Sequence, residues 1–256
     1  MSSVTDLRFG PIALRVEGPA VHPLLEAWRS PVADECRRVL VTVADELPPG
    51  TAATTAEVGF ALADHADHDH LTLRGDPSRP TPWLAAFCEL VARDTPLHRC
   101  LLLHAGAVTV EGGVALLVAP PGVGKTTAVR AAGARAFASN AVLVDLSQEA
   151  PMVLAMPFTR DPAPELECLR SMPLAALAFV HRSSDPTIEW ISGSLATIRL
   201  MPHVTRPRRG DPHARARTDL ALSMGSRARA MRLGLPWGPG YLAALDEALK
   251  LTAQCT

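Results

Sequence analysis

The stretch GVALLVAPPGVGKTTAV, residues 113–129, is the feature that most constrains what this chain can fold into. It opens on an apolar run, passes through Gly and Pro, and ends on residues with helical character. A buried strand that runs directly into a Gly-rich loop and then a helix is a unit of α/β proteins. It is also the context in which such a loop wraps an anion.

Within it, APPGVGKT (residues 119–126) fits the P-loop pattern in relaxed form, with Ala119 where the strict pattern has Gly. Gly122 and Gly124 let the backbone close round phosphate oxygens in conformations that a Cβ penalises. Pro121 and Val123 complete the backbone that faces the phosphates. The helix starting near Lys125 points unpaired N–H groups at the same anion. Lys125 would reach the β- and γ-phosphates, Thr126 would offer its hydroxyl to Mg²⁺, and Thr127 would contact the α-phosphate. The expected ligands are therefore ATP or GTP with Mg²⁺.

The flanks add detail. Two apolar strands surround Glu111, Gly112 and Gly113, a hairpin turn. Gly133 is the expected end of the helix after the loop, and ARAFAS and AVLVDL continue as extended chain. LAALAFVHR (174–182) reads as another core strand. No guanine-reading NKxD motif and no ABC-type signature are present.

LLLHAGAV, the hairpin, GVALLVAPPGVGKTTA and GARAFASNAVLVDL together resemble the HPr kinase/phosphorylase family and the wider HPr-kinase-like group. Some members of that group accompany genes for ribosomally made peptides, lasso peptides among them. The likeness spans about residues 100 to 200. It implies an α/β P-loop core of HPr-kinase type and transfer of a γ-phosphate to a hydroxyl of a peptide, protein or small molecule. It also implies that His104 stands where the family's histidine closes a strand, and that Gly133 and Arg135 align with its conserved turn. Homo-oligomers are common in the family and are expected on that ground.

One departure bears on mechanism. The resembled family has an Asp pair after that turn, the second Asp serving as base, and here Ser139 and Asn140 occupy those places. Asn140 can orient a hydroxyl by hydrogen bonding but cannot take its proton. His104 is the remaining candidate base. Asp145, after four apolar residues, has two readings: a Walker-B-like acid that holds Mg²⁺, or a solvent-facing residue at a strand end. The family's acids align with 139 and 140, which favours the second. The candidate catalytic set is His104, Lys125, Asn140 and Asp145. The expected activity is a kinase, and the alternative is a catalytically weakened nucleotide-binding scaffold or regulator.

Upstream, IALRVEG, CRRVLVTVAD, EVGFALA and HLTLRG read as strands. TPWLAAFCELVARDTP reads as a helix capped by Thr81 with Pro82 first, placing Trp83, Phe87, Leu90 and Val91 on one face. Residues 1–98 are thus expected to form a small α+β domain and 99–256 the P-loop domain. The run DHADHDH (64–70) suits a divalent metal in its residue types (His65, His68, His70), but it sits as a turn would. The segment 203–217, with Arg206, Arg208, Arg209, Arg215 and Arg217, reads as a mobile loop, either solvated or closing over phosphate. Trp83, Trp190 and Trp237 are expected as core or interface anchors.

Composition excludes other classes. Lys and Arg total 25 against 26 Asp and Glu, too balanced for a general nucleic-acid binder. Cys36, Cys88, Cys100, Cys168 and Cys255 show no CxxC spacing, so neither a disulfide framework nor a zinc site is expected. The first residues, MSSVTDLRFG, lack the character of a signal peptide, and VALLVAPP is too short to span a bilayer. A cytoplasmic location without membrane contact is the expectation.

Overall fold

A computed structural model describes residues 3–18, 29, 37–46, 60–64, 68–74, 80–156, 171–207, 210–236 and 239–253. The architecture is mixed α/β. The chain divides into two compact units, Met1–Asp94 with Arg206–Pro212, and Thr95–Thr205 with His213–Thr256.

The first unit holds β1 (Ser3–Phe9), β2 (Ile12–Gly18), β3 (Arg37–Ala44), β4 (Phe60–Asp64), β5 (His68–Arg74) and α1 (Pro80–Asp94). The sheet order is β1-β2-β3-β5-β4. The central pairs β2–β3 and β3–β5 are parallel, and the outer pairs are antiparallel. Alternation sends Leu14, Val16, Val39, Val41, Leu71 and Leu73 into a core. Trp83, Phe87, Leu90 and Val91 are fully buried on α1. The helix begins at Pro80, so Thr81 and Pro82 lie inside its first turn and not at its boundary.

The His/Asp run is a correction. Its last three residues are strand, not turn, and the two-residue period of β5 sends Asp69 and His70 to opposite faces. Asp69 is fully buried and paired to Arg93 at 2.5 Å, whereas His70 meets the Thr42 hydroxyl at 3.2 Å. No group of three metal-capable side chains occurs among the described residues. His65 lies outside them.

The second unit begins with a short 3-10 turn, Thr95–His98. Its elements are β6 (Cys100–Leu103), β7 (Gly106–Val110), β8 (Gly113–Val118), α2 (Lys125–Ala131), β9 (Ala136–Ala138), β10 (Val142–Asp145), β11 (Met152–Ala155), β12 (Ser171–Arg182), β13 (Thr187–Trp190), α3 (Gly193–Leu200), α4 (Ala214–Arg227), β14 (Ala230–Leu235) and α5 (Tyr241–Ala253). The strand order is β6-β10-β11-β12-β8-β7-β9, with β14 on β12 and β13 on β14. The 12-residue β12 organises it, running parallel to β8 and to β14 and antiparallel to β11.

β8 is buried along its whole length because both of its faces are covered. Val114, Leu116 and Val118 enter one apolar core with Leu177, Phe179 and residues of α3 and α4. Ala115, Leu117 and Ala119 enter another with Ala128, Val129, Tyr241 and Leu245. The hairpin between β7 and β8 turns at Glu111 and Gly112, the latter at φ 80°.

Beyond α3 the chain makes a 3-10 turn at Met201–His203, and Val204 bridges Leu103. The expected loop over 203–217 is therefore interrupted: Arg215 and Arg217 belong to α4. Arg217 is buried and donates to the Thr95 hydroxyl at 2.8 Å. Arg206 is exposed, and Arg208 and Arg209 lie outside the described residues. Trp190 stacks under Arg229, 5.0 Å from its ring centroid. Trp237, Cys36, Cys168 and Cys255 are not among the described residues, while Cys88 is half-buried and Cys100 buried. No described helix is long and apolar enough to cross a membrane.

α3 and α4 cross closely. A Cβ on Gly225 would stand 2.1 Å from the Thr197 Oγ1 and 2.9 Å from its Cα. Gly225→Ala should force the helices apart and destabilise the protein by about 1–3 kcal/mol. The check is the urea unfolding midpoint, which should fall; an unchanged midpoint would contradict this packing.

Candidate functional site

The loop between β8 and α2 is set by backbone conformation. Gly122 has φ 81° and Gly124 φ 112°, both left-handed, and no protein atom lies within 4 Å of where a Cβ would stand on either. Glycine is therefore required by the turn itself and not by crowding. Pro121, Gly122 and Thr127 are exposed, Val123, Gly124 and Thr126 half-buried.

Lys125 is the exception. It is 6% exposed, and its ammonium donates to the carbonyl of Ala119 at 2.5 Å and of Pro120 at 3.2 Å. The side chain thus folds back across the mouth of the loop that precedes it. Burial holds its pKa below the ordinary lysine value. A buried cation with two carbonyls as partners would be bound more strongly by an anion than by these neutral oxygens.

α2 is held from behind by α5. The Tyr241 hydroxyl donates to the Ala128 carbonyl at 3.0 Å, and burial pushes that phenol up to about 12. Gly133, at φ 56°, ends the helical path. Next to it Arg135 grips Asp246 through two bonds of 2.8 Å and donates to the Thr109 carbonyl. Arg135 is thus a clamp between α5 and β7.

Three further groups gather about Lys125. His104 follows β6, and its backbone N–H donates to the His203 carbonyl at 2.8 Å. Burial lowers the His104 pKa, the Lys125 charge lowers it further, and a bond from the ring to the Asn140 backbone opposes both. His203 is likewise lowered by burial, then by Lys125 and by His104. Lys125, His104, Asn140 and His203 therefore share one neighbourhood. Among the described residues, no carboxylate contributes to the shifts of either ring.

Asp145 is not part of this group. β10 runs antiparallel to β6, with Val142 opposite Leu103 and Asp145 opposite Cys100. The acid is three residues, roughly 10 Å, along the strand from the His104 end. Its carboxylate accepts the Ser147 N–H at 2.8 Å, a local turn bond. It also acts on Cys100, whose thiol is raised to about 12, first by burial and then by that charge. The register thus favours the strand-end reading of Asp145. Thr126 stands in the first turn of α2 and is half-buried.

No protein-family model matches the chain, and no curated protein matches it. What the site can do rests on its own chemistry.

Two groups at the site carry no local sequence pattern. His203 arrives through the Leu103–Val204 bridge from a hundred residues away. Arg182, at the end of β12, donates to the Gly122 carbonyl at 2.7 Å and so touches the loop from the neighbouring strand. Beside it the buried Nδ1 of His181 has no hydrogen-bond partner.

A histidine whose pKa is lowered by folding takes its proton later than in the unfolded chain. Its stabilising contribution is present above the unfolded value of about 6.5 and is lost as pH falls below it. Both rings should titrate below 6.5 in imidazole NMR spectra. Lys125→Met should move both midpoints upward, because it removes a shared positive charge. Midpoints that stay in place would contradict the clustering.

Proposed function

We propose that this chain is an ATP-dependent phosphotransferase of HPr-kinase-like type, acting on a hydroxyl of a peptide, protein or small molecule. The observation that carries the reading is the buried Lys125 ammonium held at the mouth of a loop with two left-handed glycines. The ammonium would leave the Ala119 and Pro120 carbonyls for β- and γ-phosphate oxygens, which are stronger acceptors. Thr126 and the nucleotide's own phosphates would hold Mg²⁺, which supplies neutralisation of phosphate charge.

His104 is the group suited to the acceptor. It is kept neutral near pH 7, and a neutral ring that donates one N–H retains its other nitrogen as an acceptor. It would take the hydroxyl proton as the hydroxyl oxygen bonds to the γ-phosphorus and the bond to the β–γ bridging oxygen breaks. Asn140 would orient that hydroxyl. Because phosphoryl transfer depends mainly on positioning and charge stabilisation, a histidine in place of a carboxylate remains compatible with turnover.

A second reading has its own support. Asp145 lies away from the site, and the charges acting on His104 and His203 are cationic. Such a site fits a nucleotide-binding scaffold or regulator with weak catalysis.

Transfer of labelled γ-phosphate to candidate peptides and co-purifying proteins tests the proposal. Lys125→Ala should abolish transfer. Asn140→Asp should raise a slow rate by roughly 10²-fold, the usual worth of a positioned base. Nucleotide binding without transfer in both wild type and Asn140→Asp would favour the scaffold; no effect of Asn140→Asp on a fast enzyme would remove Asn140 from the account.

A further inference from the structure

A narrow cleft opens beside the loop, where the ends of β12 and β14 meet the first turns of α2. Val123 and Thr127 form one side; Arg182, Ser183, Leu235 and Pro236 form the other. Arg182 and Leu235 are register partners in the parallel β12–β14 pair, and the Ser183 N–H donates to the Leu235 carbonyl at 3.3 Å. The far wall is therefore built on the adjoining ends of β12 and β14, with Ser183 and Pro236 just beyond them. It is apolar at Leu235 and Pro236 and cationic at Arg182. Among the described residues, no acidic side chain lines the cleft.

The cleft is continuous with the loop, since Val123 and Gly124 belong to both. A phosphate chain seated at Gly122–Thr126 therefore directs whatever is attached to its α-end toward this wall. Arg182 is already fixed by its bond to the Gly122 carbonyl. That bond uses one guanidinium nitrogen, and the residue is exposed and lines the cleft. A guanidinium face over an aromatic ring, with apolar side chains beneath, suits a planar base held by its faces.

We propose that this cleft is the nucleobase subsite, with Arg182 covering one face of the base and Val123, Leu235 and Pro236 meeting the rest. The inference rests on the reading of residues 119–127 as a phosphate loop, and it deepens that reading. The phosphoryl donor is a nucleoside triphosphate and not an inorganic polyphosphate, because only the former fills the cleft. Arg182 thereby acts in two ways, steadying the loop through Gly122 and selecting what the loop carries.

Titration calorimetry of the full chain with Mg·ADP and with Mg·pyrophosphate tests this. The wild type should bind ADP at least about tenfold more tightly than pyrophosphate, the order of one desolvated cation–π contact. In Arg182→Ala and in Leu235→Ala the ratio of the two affinities should fall toward one. The ratio is taken within each variant, so a general loss of packing cancels. Leu235→Ala leaves the Arg182–Gly122 bond in place, which separates base recognition from support of the loop. Equal affinities in the wild type, or a ratio that survives both substitutions, would overturn the subsite while leaving the phosphate loop standing. Binding of neither ligand would overturn both.

Discussion

The parallel pairing of β8 with β12 is the constraint on which the rest of the second unit depends. Two adjacent parallel strands offer apolar side chains on both faces and must be covered on both. α2 and α5 cover one face of β8 and α3 and α4 the other, and each layer delivers a part of the site. β8 ends at the Gly-rich loop, β12 ends at Arg182, and α3 ends at the turn that carries His203. Lys125 is buried at the point where these ends converge.

The electrostatics of the site follow from that convergence. Burial first, and then the charge of a lysine held at low exposure with backbone carbonyls as its hydrogen-bond partners, lowers the pKa of the two nearby imidazoles. Neutral imidazoles can accept a proton near pH 7, whereas a carboxylate beside the same lysine would be held ionised. An Asp pair at the positions of Ser139 and Asn140 would change the charge beside His104. The supports behind α2, the Tyr241 bond and the Arg135–Asp246 pair, are structural and independent of that change.

Much of the strand, loop and helix around Lys125 was legible in the chain itself, because its signals are local. Strand, loop and helix follow one another within seventeen residues, and Gly122, Gly124 and Gly133 stand where positive φ values occur. The helix of α1 and the hairpin at Glu111 and Gly112 were legible for the same reason. What could not be read was whatever depends on register or distant pairing. Asp145 follows an apolar run as a metal-binding acid would, yet antiparallel pairing with β6 carries it to the other end. His203 and Arg217 sit in a Pro- and Arg-rich stretch that looks like loop, but a strand bridge and the start of α4 organise them. Arg182 shows nothing in sequence beyond the end of a strand. His68, Asp69 and His70 look like a cluster until the pleat separates Asp69 from His70.

The central claim is that the backbone from Ala119 to Thr127 receives phosphate. Two-dimensional amide NMR spectra recorded while Mg·ADP is added address it most directly. The account predicts that the largest shifts fall on Gly122, Gly124, Lys125, Thr126 and Thr127, with the amides of α1 in the first unit unmoved. Loop amides that stay in place while ADP saturates the protein elsewhere would contradict it.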